Sequence, residues 1–99
     1  MLEKNTIDEL KVYFSKQPIN KVWLFGSYAR GDENSNSDVD LLVAFDKNSK
    51  VSLFTMGGIY MDLRQLLGKE VDLIEDGTLE DYAAATANQD KKLIYEREN

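Results

Sequence analysis

Ninety-nine residues with 42% apolar and 30% charged side chains leave room for one modest core, so a single domain over 1–99 is expected, with no separate substrate-recognition domain. The chain has neither cysteine nor histidine, which excludes disulfides, zinc–thiolate sites, thiol nucleophiles and imidazole acid–base chemistry. Eighteen acidic against 12 basic residues give a net charge of -6, the wrong sign for a phosphate-backbone binder, so no direct nucleic-acid binding is expected.

Thr6 followed by Glu9 reads as a capping box, and Ile7, Leu10, Tyr13 and Phe14 share one helical face, predicting a helix over 6–17 stopped by Pro18. Residues 21–25, Lys-Val-Trp-Leu-Phe, read as a buried strand ending at Gly26, with Trp23 in the core. Polar residues 31–37 form a loop. Residues 38–45 begin with alternation and turn continuously apolar, as a strand deep in a sheet does. Leu53, Phe54, Ile59, Tyr60, Leu63, Leu66 and Leu67 give a helical pattern over 51–67, weakened by Gly57-Gly58 and ended by Gly68. A third short strand is expected over 70–74, then a helix over 78–87 started by Thr78. Residues 92–96 fit a helix or a short edge strand.

This order describes an α/β (α+β) fold: a small sheet with helices packed on one face. No apolar run approaches bilayer length, and the first residues lack a signal-peptide pattern, so no membrane association and a cytoplasmic location are the default expectations.

The chemistry concentrates in two segments, Gly26-Ser27-Tyr28-Ala29-Arg30-Gly31 and Ser37-Asp38-Val39-Asp40. Gly26 lets a backbone approach a phosphate, Ser27 offers a hydroxyl and an amide, and Arg30 lies one turn later. Asp38 and Asp40, two apart on a strand, project to the same side and repel unless a cation lies between them; oxygen-only ligands suit Mg²⁺ or Mn²⁺. Asp72, within the third strand, is a third carboxylate, and three could hold two metal ions roughly 3.5 to 4 Å apart. Tyr28 is expected at the rim of this site, Tyr60 and Tyr82 in the core, and Tyr95 among the exposed candidates for docking.

Leu24-Phe25-Gly26-Ser27-Tyr28-Ala29-Arg30-Gly31, Ser37 to Val43, and Val71-Asp72-Leu73-Ile74 together resemble the minimal nucleotidyltransferases of the DNA polymerase beta superfamily. The resemblance implies a polymerase beta-like palm fold built on a small mixed sheet. It implies that Gly26 and Ser27 hold the nucleotide's outer phosphates, and that Asp38, Asp40 and Asp72 bind Mg²⁺. It further implies an antitoxin paired with a HEPN-type toxin, homo- or hetero-oligomeric, that transfers AMP from ATP to a tyrosine hydroxyl of that toxin. The alternatives are an antitoxin that neutralises by binding alone and transfer of a nucleotide to a small molecule such as an antibiotic.

Overall fold

Three of the apolar runs become strands in the computed structural model, which describes residues 2–76 and 91–98: β1 (Ile19–Phe25), β2 (Val39–Phe45) and β3 (Val71–Glu75). The C-terminal run is a strand, β4 (Lys92–Glu96). Helices α1 (Lys4–Ser15), α2 (Ser27–Arg30) and α3 (Leu53–Leu67) alternate with them. The helix expected over 78–87, with Tyr82, lies outside the described residues. Among the described helices none is long and apolar enough to cross a membrane.

The strands lie in the order β3-β2-β1-β4; β1 is antiparallel to β2 and β4, and β2 is parallel to β3. Parallel neighbours need a crossover, and α3 supplies it. Alternation sends Val22 and Leu24 of β1, Val39, Leu41 and Val43 of β2 and Val71 of β3 to one face. Leu10 and Phe14 of α1, the short α2, and Ile59 and Leu63 of α3 close the core there. The described helices therefore share one face, as expected.

Trp23 departs from its expected place. The β1 parity turns it to the opposite face, half-buried, where the Lys91 ammonium lies 4.5 Å from its ring centroid. Tyr95, expected to be exposed, is instead buried against Phe14, with ring centroids 5.6 Å apart.

The helix ends follow local chemistry. Ile7 donates its amide to the Glu3 carbonyl, which starts α1 before Thr6 can cap it, and the Thr6–Glu9 box does not form. α3 begins with a box the pattern did not reveal: Ser52 Oγ accepts from the Thr55 amide at 3.2 Å, and Thr55 Oγ1 accepts from the Ser52 amide. Gly68, at φ 66°, ends the helix in the left-handed conformation. Leu53 and Phe54, counted in the helical pattern, stand 89% and 92% exposed. Gly57 and Gly58 occupy the helix interior, each costing about 1 kcal/mol against alanine.

Phe14 has no exposed surface and joins α1 to β4. Phe14→Ala should destabilise the protein by about 3–5 kcal/mol. Urea unfolding checks this as a lower midpoint at an unchanged slope.

Candidate active site

Phe25, the last residue of β1, pairs with Asp40 on β2, and Asp40 pairs with Asp72 on β3. Adjacent strands run about 4.8 Å apart, so one row across three strands brings the end of β1 and two carboxylates together. Gly26 follows directly, at φ 73° and ψ -152°, a region essentially reserved for glycine. A Cβ on Gly26 would collide with Asp40 Oδ2 and lie 3.2 Å from its Cγ. The expected reason for Gly26 was close approach of a phosphate; inside the fold, the first thing that approaches it is the Asp40 carboxyl.

Ser27 opens the single turn of α2, which Gly31 ends at φ 83°. The amides of Ala29 and Arg30 both donate to the Gly26 carbonyl at 3.1 Å. Among the described residues nothing accepts from the amides of Ser27 and Tyr28, the orphan donors of a helix start. A turn of four residues carries little macrodipole. Those amides and the Ser27 hydroxyl are the donors that an anion at this turn would meet.

Arg30 is exposed at the end of the turn, with Nε 3.1 Å from Asp32 Oδ2. Asp38 is also exposed and precedes β2 by one residue, so it stands at the strand's entry rather than within it. Asp72 is exposed too. Exposure spares it the desolvation cost of a carboxylate buried among apolar strand residues.

Asp40 is the strained member. Its partial burial, then the charges of Asp72 and Asp38, push its carboxyl above the ordinary range, and Arg30 only partly opposes this. A group raised in the folded state favours folding while protonated, and that contribution is lost as pH rises through the folded value. At neutral pH the Asp40 carboxylate therefore costs stability. Among the described residues, no three acidic side chains close into a shell of metal-binding dimensions. The donor set still fits a hard divalent cation, being all oxygen and all anionic, and the mutual field that raises Asp40 is one a cation would cancel.

Tyr28, expected at the rim, is buried in the core on the inner side of α2. A tyrosine the pattern assigned to packing has a polar role as well: Tyr60 packs against the core, and its hydroxyl donates to Glu70 Oε1 at 2.7 Å, which holds its proton more tightly than usual. Arg64 Nη2 lies 3.2 Å from Glu70 Oε2, and the Glu70 carbonyl accepts from the Val39 amide. This network ties α3 to the chain two residues before Asp72. Tyr60 and Arg64, four apart on one helix, were visible in sequence; their distant partner was not.

Residues 8–99 match the polymerase beta nucleotidyltransferase family, and the chain belongs to it. The protein adenylyltransferase MntA of Thermococcus cleftensis is 35% identical over 68 residues, covering 69% of this chain and 67% of the relative. Two solved structures share the fold. A toxin–antitoxin crystal structure with AMP-PNP gives a TM-score of 0.74 at 22% identity, covering 98% of this chain and 76% of that one. A Shewanella oneidensis complex of tri-AMPylated HEPN toxin with MNT antitoxin gives 0.69 at 14% identity, covering 97% and 74%.

Asp40→Asn should raise the thermal midpoint in metal-free buffer, each kcal/mol of relieved desolvation and repulsion being worth about 4–8 °C in a domain of this size. Gly26→Ala should lower it, because a strained non-glycine backbone costs about 1–3 kcal/mol before Asp40 is displaced. Differential scanning calorimetry of both variants checks the two opposite signs.

Proposed function

We propose that this protein is an Mg²⁺-dependent protein adenylyltransferase that transfers AMP from ATP to a tyrosine hydroxyl of a HEPN-type toxin, and so serves as that toxin's antitoxin. The observation that carries this is the row Phe25–Asp40–Asp72, with Gly26 under the Asp40 carboxyl and the Ser27 turn following at once. Membership of the nucleotidyltransferase family and the name of the Thermococcus relative support protein as the acceptor class. The bound AMP-PNP and the AMPylated HEPN toxin of the two fold relatives support ATP and a HEPN-type partner.

In this reading the amides of Ser27 and Tyr28 and the Ser27 hydroxyl hold the outer phosphates, with Arg30 reaching a phosphate oxygen from the edge. Asp38, Asp40 and Asp72 would hold Mg²⁺, or Mn²⁺, which neutralises the triphosphate and lowers the pKa of the attacking hydroxyl. Asp72, exposed beside Asp40, accepts the proton from the acceptor tyrosine. The tyrosine oxygen bonds to the α-phosphorus, the bond to the bridging oxygen breaks, and diphosphate leaves. A partner that brings its own surface suits so small a domain better than a small molecule does.

Incubation with ATP, Mg²⁺ and a cognate HEPN-type protein should add one or more AMP masses to the partner, mapped to tyrosine by fragmentation mass spectrometry. Asp40→Ala or Asp72→Ala should slow this by about 100-fold or more, the rate equivalent of several kcal/mol of lost charge stabilisation. Chelation of the metal should do the same. A partner that stays unmodified under these conditions refutes the transfer. Full neutralisation by Asp40→Ala at equal stoichiometry assigns the antitoxin effect to binding.

A further inference from the structure

The parallel ladder of β2 and β3 opens at the carboxylate end of the sheet, where the Val39 amide donates to the Glu70 carbonyl at 3.0 Å. It closes at the far end, where the Asp76 amide donates to the Val43 carbonyl at 2.8 Å. Val39 stands between Asp38 and Asp40, and Glu70 stands two residues before Asp72. The first rung therefore sets where the two aspartate-bearing chains enter the sheet relative to each other. End rungs are also where strands fray most readily.

Spacing matters most on this side. Gly26 is packed so closely against Asp40 that a Cβ would collide with its Oδ2, so the end of β1 already limits how far Asp40 can shift in that direction. The separation of Asp40 from Asp72 is left to the β2–β3 pairing. Asp38 and Asp72 are exposed, and their side chains can turn toward a cation; their backbones cannot once the ladder has formed.

Glu70 is gripped by its side chain as well as its backbone. Its Oε1 accepts from the Tyr60 hydroxyl at 2.7 Å and its Oε2 lies 3.2 Å from Arg64 Nη2, so each carboxylate oxygen has its own donor. The Arg64 guanidinium in turn lies 5.6 Å from the Tyr60 ring centroid, which closes the three side chains into a triangle. Tyr60 and Arg64 are four apart on α3, and each follows a residue, Ile59 or Leu63, that is buried in the core. The helix therefore carries its anchorage in the core across Gly68 and Lys69 to the first rung. The ion pair is about half exposed on both sides, where such pairs add little to global stability. Its leverage is on the local position of Glu70.

We infer that Tyr60 and Arg64 are positioning residues for the candidate metal centre: through Glu70 they hold the first β2–β3 rung closed and so keep Asp38, Asp40 and Asp72 at the separation a divalent cation requires. This rests on the reading above in which those carboxylates hold the cation.

Two variants separate position from charge, and circular dichroism verifies the fold of each. Tyr60→Phe removes one hydroxyl and no charge, so the field at the carboxylates stays as it was. Arg64→Gln removes a positive charge, which by field alone would tighten a cation site, whereas loss of positioning loosens it. Titration with Mn²⁺ followed by electron paramagnetic resonance should show affinity about tenfold weaker in each variant, the lower end of what outer partners of metal ligands contribute. Asp40→Ala marks the site by abolishing the binding. Amide exchange at Val39 should quicken about tenfold in both variants while exchange at Asp76 stays within about twofold. Thermal midpoints should move by only a few degrees. AMP transfer to the HEPN-type partner should fall at limiting Mg²⁺ and return to within about twofold of the wild-type kcat at saturating Mg²⁺.

Unchanged affinity in folded Tyr60→Phe, or a tighter site in Arg64→Gln, overturns the positioning role and leaves the transfer standing. Exchange that quickens equally at Val39 and Asp76 reduces the network to a general structural tie and overturns it as well. Weakened Mn²⁺ binding in both variants of a wild type that does not modify its partner upholds the positioning and refutes the transfer. A wild type without affinity for Mn²⁺, or one whose Mn²⁺ binding survives Asp40→Ala, refutes the positioning and the cation reading together.

Discussion

Like charges set side by side in a small fold are the constraint around which this structure is arranged. Asp40 and Asp72 lie in register on adjacent strands, and Asp38 stands at the entry to the first of them. That placement depends on strand direction. β2 and β3 are parallel, so both begin at the same end of the sheet; β1 is antiparallel to β2, so it finishes there and delivers Gly26 and Ser27 to the same place. Reversing any one of these strands would scatter the constellation. The crossover that keeps β2 and β3 parallel is α3, fixed by the Ser52–Thr55 box at one end and by Gly68 and the Tyr60–Glu70–Arg64 network at the other.

The cost of this arrangement falls on one residue. Asp40 is partly withdrawn from water, faced by two other acids, and seated on a glycine that no other residue can replace without strain. Its surroundings are otherwise well packed, with Val39 and Leu41 on either side of it fully buried. The fold therefore holds its least comfortable charge between two of its firmest core positions. A fold that localises strain in this way keeps it at one carboxylate, whose charge a bound cation would offset.

Much of the local structure was legible because local chemistry set it. Gly26, Gly31 and Gly68 each mark a turn with positive φ, and the apolar runs became strands at nearly their expected bounds. The nucleotidyltransferase family was legible too, from motif order. What the sequence hid was parity and partnership. Trp23 and Tyr28 exchanged their expected places because only the packed fold decides which sheet face α1, α2 and α3 cover. Thr6 looked like a cap until the helix ladder began at Glu3, and Ser52 did not, because Thr55 stands where Glu or Gln is usual. The pairing of Asp40 with Asp72 is a contact 32 positions apart in the chain (72 − 40), fixed by strand order that no local pattern encodes.

The displacement of Trp23 from the core has a practical side. It is the chain's sole tryptophan, and it shares the sheet face of Asp40 and Leu42 rather than that of the hydrophobic core. With a lysine ammonium over its ring and Leu42 and Leu93 beside it on the neighbouring strands, the indole lies in a charge-sensitive setting on the same sheet face as Asp40. The protein's tryptophan emission is therefore a signal from the sheet face that carries Asp40, an intrinsic optical reporter that needs no added label.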